Sequence, residues 1–175
     1  AIRTVGNIEE RIAYEPHGVI AHISPWNYPL VVAANTLMPA LVAGNAVLYK
    51  PSEYTTQTGI ALAALLVQAG VPQDILPVAL GDGAVGRALL DAHLDGYYFT
   101  GSYAVGQFIA ETVAPRMVPV CLELGGKDAV YVTDQISDLS TVVEDTVSGV
   151  FYNNGQSCCS VERLYVHEAI YDAVS

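Results

Sequence analysis

Apolar runs of strand length recur along this chain, each closed by Gly, Pro or Ser and followed by a longer Ala- and Leu-rich stretch. That alternation is the signature of βα units. It predicts strands over residues 18–24, 46–50, 75–80, 96–100 and 118–123, with a further one over 129–132 and helices between them. The helix over 55–69 is the clearest, since Ser52 and Thr55 are available as caps and Gly70 with Pro72 marks its end. Residues 163–166 and 168–174 predict one further strand and the start of one helix. Strands this apolar suit a parallel sheet covered on both faces, so the expected fold is α/β, a Rossmann-like doubly wound layer. Residues 23–49 carry no charge, but Pro25, Asn27, Pro29, Asn35, Pro39, Gly44 and Asn45 interrupt them. A buried helix followed by a buried strand accounts for that stretch better than a membrane span does.

Composition narrows the partners. With 52% apolar residues in 175, the chain can bury a core without disulfides or structural metal. Eighteen acidic against seven basic residues give a net charge of −11, which repels phosphate backbones and anionic lipids, so neither nucleic acid nor membrane is expected as a partner. The cysteines, Cys121, Cys158 and Cys159, are odd in number and two are adjacent, which fits a reducing, cytoplasmic setting rather than a disulfide framework. Scattered histidines at 17, 22, 93 and 167 offer no metal-ligand spacing, and no metal is assigned. The N-terminus has neither the basic start nor the apolar run of a secretory signal.

Gly81-Asp82-Gly83-Ala84-Val85-Gly86 matches the GxGxxG dinucleotide pattern, but the acidic residue expected some twenty positions later is missing, because Phe99-Thr100-Gly101-Ser102 stands there. Five separated motifs say more when taken together. They are Pro25-Trp26-Asn27, Lys50-Pro51-Ser52-Glu53, Phe99-Thr100-Gly101-Ser102, Glu123-Leu124-Gly125-Gly126-Lys127, and Phe151-Tyr152-Asn153-Asn154-Gly155-Gln156-Ser157-Cys158. In that order and spacing the chain, from about Tyr14 to its end, resembles the aldehyde dehydrogenase superfamily.

The resemblance implies a role for each matched residue. Cys158 becomes the nucleophile, since a thiolate is a natural attacker of an aldehyde carbonyl. The Asn27 amide, with the Cys158 backbone N–H, becomes the donor to the oxyanion, and Glu123 the base that activates water to hydrolyse the thioester. Taken alone, Asn27 is equally a turn residue, Glu123 a strand-end carboxylate, and Lys50 with Glu53 a solvated ion pair. The implied cofactor is NAD rather than NADP, because Lys50 and Glu53 would hold the adenosine ribose and a 2′-phosphate would meet the carboxylate. Ser102 at a helix start would take the pyrophosphate. Gly81 and Gly86 would lie by the adenine, and Trp26, Pro51, Ser52, Phe99, Thr100, Gly101, Leu124 and Gly125 complete the expected cofactor set. Cys159 is expected to be a packing or bystander thiol, and Cys121 to lie in the core.

The resemblance further implies an NAD-binding domain over 1–124, with 1–17 a leading strand or linker. Residues 125–175 would begin the catalytic domain, truncated before the downstream Glu and Phe motif and the oligomerisation segments. The expected activity is NAD-dependent oxidation of a small aldehyde to a carboxylic acid by a homodimer or homotetramer. Two alternatives stay open: a truncated, non-catalytic NAD-binding module, and a cofactor-independent esterase using Cys158 and Asn27.

Overall fold

The computed structural model describes residues 2–174. Two compact units emerge, one running through Thr100 and including Gln107–Leu122, the other made of Gly101–Gly106 and the chain from Glu123 onward.

The first unit begins with a hairpin, β1 (Ile2–Val5) and β2 (Ile8–Arg11), paired antiparallel and turning at Gly6, whose φ of +61° suits a residue without Cβ. A single leading strand or linker was expected over 1–17; two strands form, and Ala1, like Ser175 at the other end of the expected domains, lies outside the described residues. The chain then alternates through β3 (Val19–Ile23), α1 (Val31–Val42), β4 (Ala46–Lys50), α2 (Thr56–Gln68), α3 (Gly83–Asp91), β5 (Gly96–Thr100), α4 (Tyr103–Val113) and β6 (Val120–Glu123). The uncharged stretch is thus a helix followed by a strand, as its interruptions predict.

The sheet has strand order β4-β3-β5-β6, with β3 parallel to β4 and to β5. Register places Ile20 beside Val47 and Gly96, and His22 beside Tyr49 and Tyr98, so these residues share one face. Ala33 and Leu37 of α1 and Ala63 and Leu66 of α2 pack on that face with Ile20, Val47, Tyr49 and Leu76. Lys50 has the opposite parity and meets α3, where a Cβ on Gly86 would lie 3.9 Å from its Cε. Helices therefore cover both faces, the arrangement that a parallel sheet requires.

The expected strand over 75–80 does not form. Gln73–Ile75 is a 3₁₀ turn, and among the described residues a single bridge, Tyr49 to Val78, joins the next segment to β4. The Tyr49 N–H donates to Pro77 O at 2.9 Å and the Ala79 N–H to Tyr49 O at 2.8 Å. Pro77 has no N–H to extend the ladder, so an apolar run that resembles a strand stops at one rung.

The second unit holds β7 (Asp128–Val132), α5 (Leu139–Phe151), β8 (Val161–Val166) and the short α6 (Tyr171–Val174). The strands β7 and β8 are parallel, and α5 supplies the crossover that parallel pairing needs. Asp138 caps α5 by accepting the Ser140 N–H at 3.0 Å.

Candidate active site

From β3 the chain passes to one side to make β4, then returns across β3 to make β5. At such a reversal the loops leaving the carboxyl ends of neighbouring strands diverge, and open α/β sheets bind ligands in the crevice that results. The segments emerging there are Ser24 to Asn27 after β3, Lys50 to Glu53 after β4, and Phe99-Thr100 at the end of β5.

Lys50 is the unusual member, because its side chain is buried although charged. Its Nζ donates to Pro51 O at 3.3 Å and stands 3.6 Å from Glu53 Oε2. An ammonium has three protons to donate, so two acceptors, one of them distant, leave capacity for an oxygen from a ligand. A charge withdrawn from water this far is costly until its shell is complete. The Glu53 side chain is 44% exposed and presents an open acceptor beside that donor. A buried donor next to an open carboxylate fits vicinal hydroxyls such as those of a ribose. Ser52 fixes this corner, its Oγ accepting the Tyr54 N–H at 3.3 Å, and Pro51 is clamped from behind by Gly59 of α2. Trp26 is 45% exposed, whereas Phe99 is buried. Asn27 is half-buried, and its amide orientation is set by Oδ1 accepting the Tyr28 N–H at 3.1 Å.

The glycine-rich loop has another character. Gly81, with φ +144°, turns the chain into α3, and the Asp82 side chain accepts the Ala84 N–H at 2.8 Å. The positive end of that helix dipole already faces a carboxylate, which opposes a phosphate there. No sheet strand precedes it either. The loop contributes Gly86 against the Lys50 stem, next to the β4 corner.

In the second unit, the Ser102 carbonyl accepts the Gly106 N–H at 3.0 Å at the start of α4, while the Gly101 N–H donates to Glu123 O at 3.0 Å. Gly106 packs on Leu124, where any Cβ would lie 2.5 Å from Cδ2. Gly125 is exposed, with open space around it. Gly126 is the opposite case: a Cβ there would collide with the backbone carbonyl of Cys158. Only glycine permits that approach, and through it the segment after β6 rests on the cysteine loop.

That loop is also pinned from within. Ser160 is buried and donates from Oγ to Gly155 O at 3.2 Å, and Asn153 and Asn154 take left-handed φ of 50° and 57° before it. Arg163 Nε donates to Lys127 O at 2.9 Å, tying β8 to the same segment. Cys158 is exposed. Desolvation first, then Cys159 through charge and hydrogen bonding, then the Glu123 charge, push its pKa up, against the opposing effect of its own N–H.

The expected residues therefore gather in two sets. Trp26, Asn27, Lys50, Pro51, Ser52, Glu53, Gly81, Gly86, Phe99 and Thr100 belong to the first unit, and Gly101, Ser102, Glu123, Leu124, Gly125 and Cys158 to the second. Gly59, Gly106 and Gly126 were missed as positioning residues; a glycine inside the strongly helical 55–69 stretch was the available signal for Gly59. Cys121 was expected in the core and is instead exposed, because it lies on a short strand at the sheet edge, while Cys159 is exposed in a surface turn, as a bystander thiol would be. No helix among the described residues is long and apolar enough to cross a membrane.

Comparison with known proteins bears on the whole chain. Residues 3–175 match the model of the aldehyde dehydrogenase family. A 4,4'-diapolycopene aldehyde oxidase from Methylomonas sp is 42% identical over 92% of this chain and 30% of its own length. Aminoaldehyde dehydrogenase 1, peroxisomal, from Pisum sativum is 44% identical over 91% of this chain and 32% of its own. The crystal structure of a Mycobacterium tuberculosis aldehyde dehydrogenase complexed with NAD+ superposes with a TM-score of 0.93 at 34% identity, covering 99% of this chain and 36% of that one. The chain thus spans about a third of the length of such relatives. A family match over nearly every residue, together with a fold shared at that level of identity, means that this chain belongs to the aldehyde dehydrogenase family.

Proposed function

We propose that the protein is an NAD-dependent aldehyde dehydrogenase that oxidises an aldehyde to a carboxylic acid, with Cys158 as nucleophile, Glu123 as base and Asn27 as donor to the oxyanion. The supporting observation is the packing of Gly126 on the Cys158 carbonyl, together with the influence of the Glu123 charge on the thiol.

Once deprotonated, the Cys158 sulfur attacks the carbonyl carbon, forming a thiohemiacetal whose oxygen needs donors fixed in advance, the role given to the Asn27 amide and the Cys158 N–H. NAD, when bound, is the hydride acceptor. Loss of hydride leaves a thioester on Cys158. Glu123 takes a proton from water, the resulting hydroxide attacks the thioester carbonyl, and the thiolate leaves as the acid is released. For the cofactor, Lys50 would donate to, and Glu53 accept from, the ribose hydroxyls, and the Glu53 carboxylate would repel a 2′-phosphate, favouring NAD over NADP. Residues 1–124 would form the NAD-binding domain and 125–175 the start of the catalytic domain; the division of the compact units between Leu122 and Glu123 favours that boundary, while the placing of Gly101–Gly106 with the second unit departs from it. Three free thiols fit a cytoplasmic setting, and homodimers or homotetramers are the proposed assembly.

Rapid mixing of the full-length protein with aldehyde and NAD tests this reading. Glu123→Gln should give a single burst of NADH and then stall, whereas Cys158→Ala should give none, and NADP should support neither well. An unchanged steady-state rate in Glu123→Gln would overturn the assignment, and nucleotide binding with no NADH from the unmodified protein would favour a non-catalytic binding module.

A further inference from the structure

Lys127 ends the motif that begins at Glu123, and two consecutive residues of β8 hold it. Arg163 Nε donates to its carbonyl at 2.9 Å, and the Glu162 carboxylate pairs with its ammonium. Neighbouring residues of a regular strand point to opposite faces, so two of them do not ordinarily serve one residue across a ladder. The register accounts for it. Asp128 pairs with Val161 and Ala129 with Arg163, so the ladder slips by one residue and passes over Glu162. A bulged residue of this kind bends its strand and re-aims the side chains beside it, and bulges are frequent next to active sites.

This grip lies beside the candidate catalytic groups. The segment from Glu123 to Lys127 is tied at its start, where Glu123 O accepts the Gly101 N–H at 3.0 Å, and Leu124 packs on Gly106. Gly125 has open space around it and gives the segment no lateral support. Gly126 then rests on the Cys158 carbonyl, and Arg163 takes the next carbonyl along. Because Arg163 follows Cys158 closely in the chain, its bond to Lys127 O sets how far the Glu123 segment stands from the cysteine turn. The ion pair is exposed, with the Lys127 and Glu162 side chains 68% and 41% accessible, so it adds little to stability. Its consequence is geometric.

We propose that Arg163, seconded by the bulged Glu162, is a positioning residue for the hydrolytic half of the reaction, holding the Glu123 segment where its carboxylate reaches the water that attacks the thioester. The inference rests on Glu123 as base and Cys158 as nucleophile. Attack of the Cys158 sulfur and departure of hydride precede the step in which Glu123 takes a proton from water. Loosening the grip therefore slows release of the acid and leaves formation of the thioester intact.

The test is rapid mixing of the full-length protein with aldehyde and NAD, with acid quenching and intact mass to follow the acyl group on Cys158. Arg163→Met keeps the apolar stem and removes the donor. It should give a single burst of NADH and then a steady rate roughly 10-fold lower, with the acyl adduct accumulating on Cys158. Adding Glu162→Ala should lower the steady rate further, and Arg163→Lys, which retains a donor, should recover part of it. A merely structural role would lower burst and steady rate together, without the adduct; that result, or an unchanged steady rate, would overturn the proposal. Glu123→Gln run in parallel separates the two claims. If it turns over at the unmodified rate, the base is wrongly assigned and the positioning role falls with it; if it stalls after its burst while Arg163→Met is unaffected, the positioning role alone falls.

Discussion

At Gly126 a missing side chain does the positioning. The Cys158 carbonyl occupies the space that a Cβ would fill, and a backbone atom cannot swing aside as a flexible side chain can. Gly126→Ala should push the cysteine loop away from the Glu123 segment and lower turnover roughly 10- to 100-fold, the penalty typical of misplacing a reacting group by about an ångström. The unfolding midpoint should move little, since both segments are exposed and bury little apolar surface. Steady-state kinetics beside a denaturant titration checks this, and an unaltered rate would mean that the contact does not position Cys158. The Glu123 to Lys127 motif was legible in the sequence as a unit, yet nothing in it distinguishes Gly125, with open space around it, from Gly126, which has none.

Among the elements, α2 shows a local preference overruled by packing. Its apolar, helix-forming composition makes it the easiest element to read, and Gly59 within it looks like a simple weakness, worth about 1 kcal/mol against alanine. In the fold, α2 lies so close to the β4 corner that a Cβ at 59 would reach within 2.6 Å of Pro51 Cγ and 3.3 Å of Tyr49 Oη. A proline ring cannot yield. Gly59→Ala should therefore destabilise the protein by about 1–2 kcal/mol despite the better helix former, because overpacking outweighs propensity. Gly83→Ala at the start of α3 meets nothing nearer than Arg87 Nη1 at 3.6 Å and serves as the control, expected to be neutral or slightly stabilising. Urea unfolding of the two variants decides the matter, and equal midpoints would remove the close contact from the account. The misread strand over 75–80 has the same origin in reverse. Its apolar pattern is strand-like, but Pro77 limits the pairing with β4 to one bridge.

For the molecule as a whole, His22 ties folding to pH. It stacks on Tyr49 with ring centroids 5.7 Å apart and is completely buried. Burial pushes its pKa down from 6.5 to about 4, against a smaller opposing effect of a hydrogen bond with the Tyr98 backbone. The unfolded chain takes up a proton near 6.5 that the folded one refuses until about 4. The stability associated with neutral His22 is thus complete above pH 6.5 and drains away as pH falls toward 4, by about 3 kcal/mol at roughly 1.4 kcal/mol per unit. His22→Phe, which keeps a ring against Tyr49, should flatten that acid limb. Denaturant midpoints at pH 7 and pH 5 measure the difference, and parallel losses in both proteins would assign the acid sensitivity elsewhere.

Much of this was present in the order of residues. Strand and helix alternation, the helix-strand reading of the uncharged stretch and the spaced motifs all arise from local chemistry, since apolar period, caps and turn residues act over a few positions. The unusual status of Lys50, the glycines that admit Pro51, Leu124 and the Cys158 carbonyl, and the exposure of Cys121 were not legible. They depend on which distant segments meet, and a neighbour's distance is set by three-dimensional packing that no short window of sequence contains.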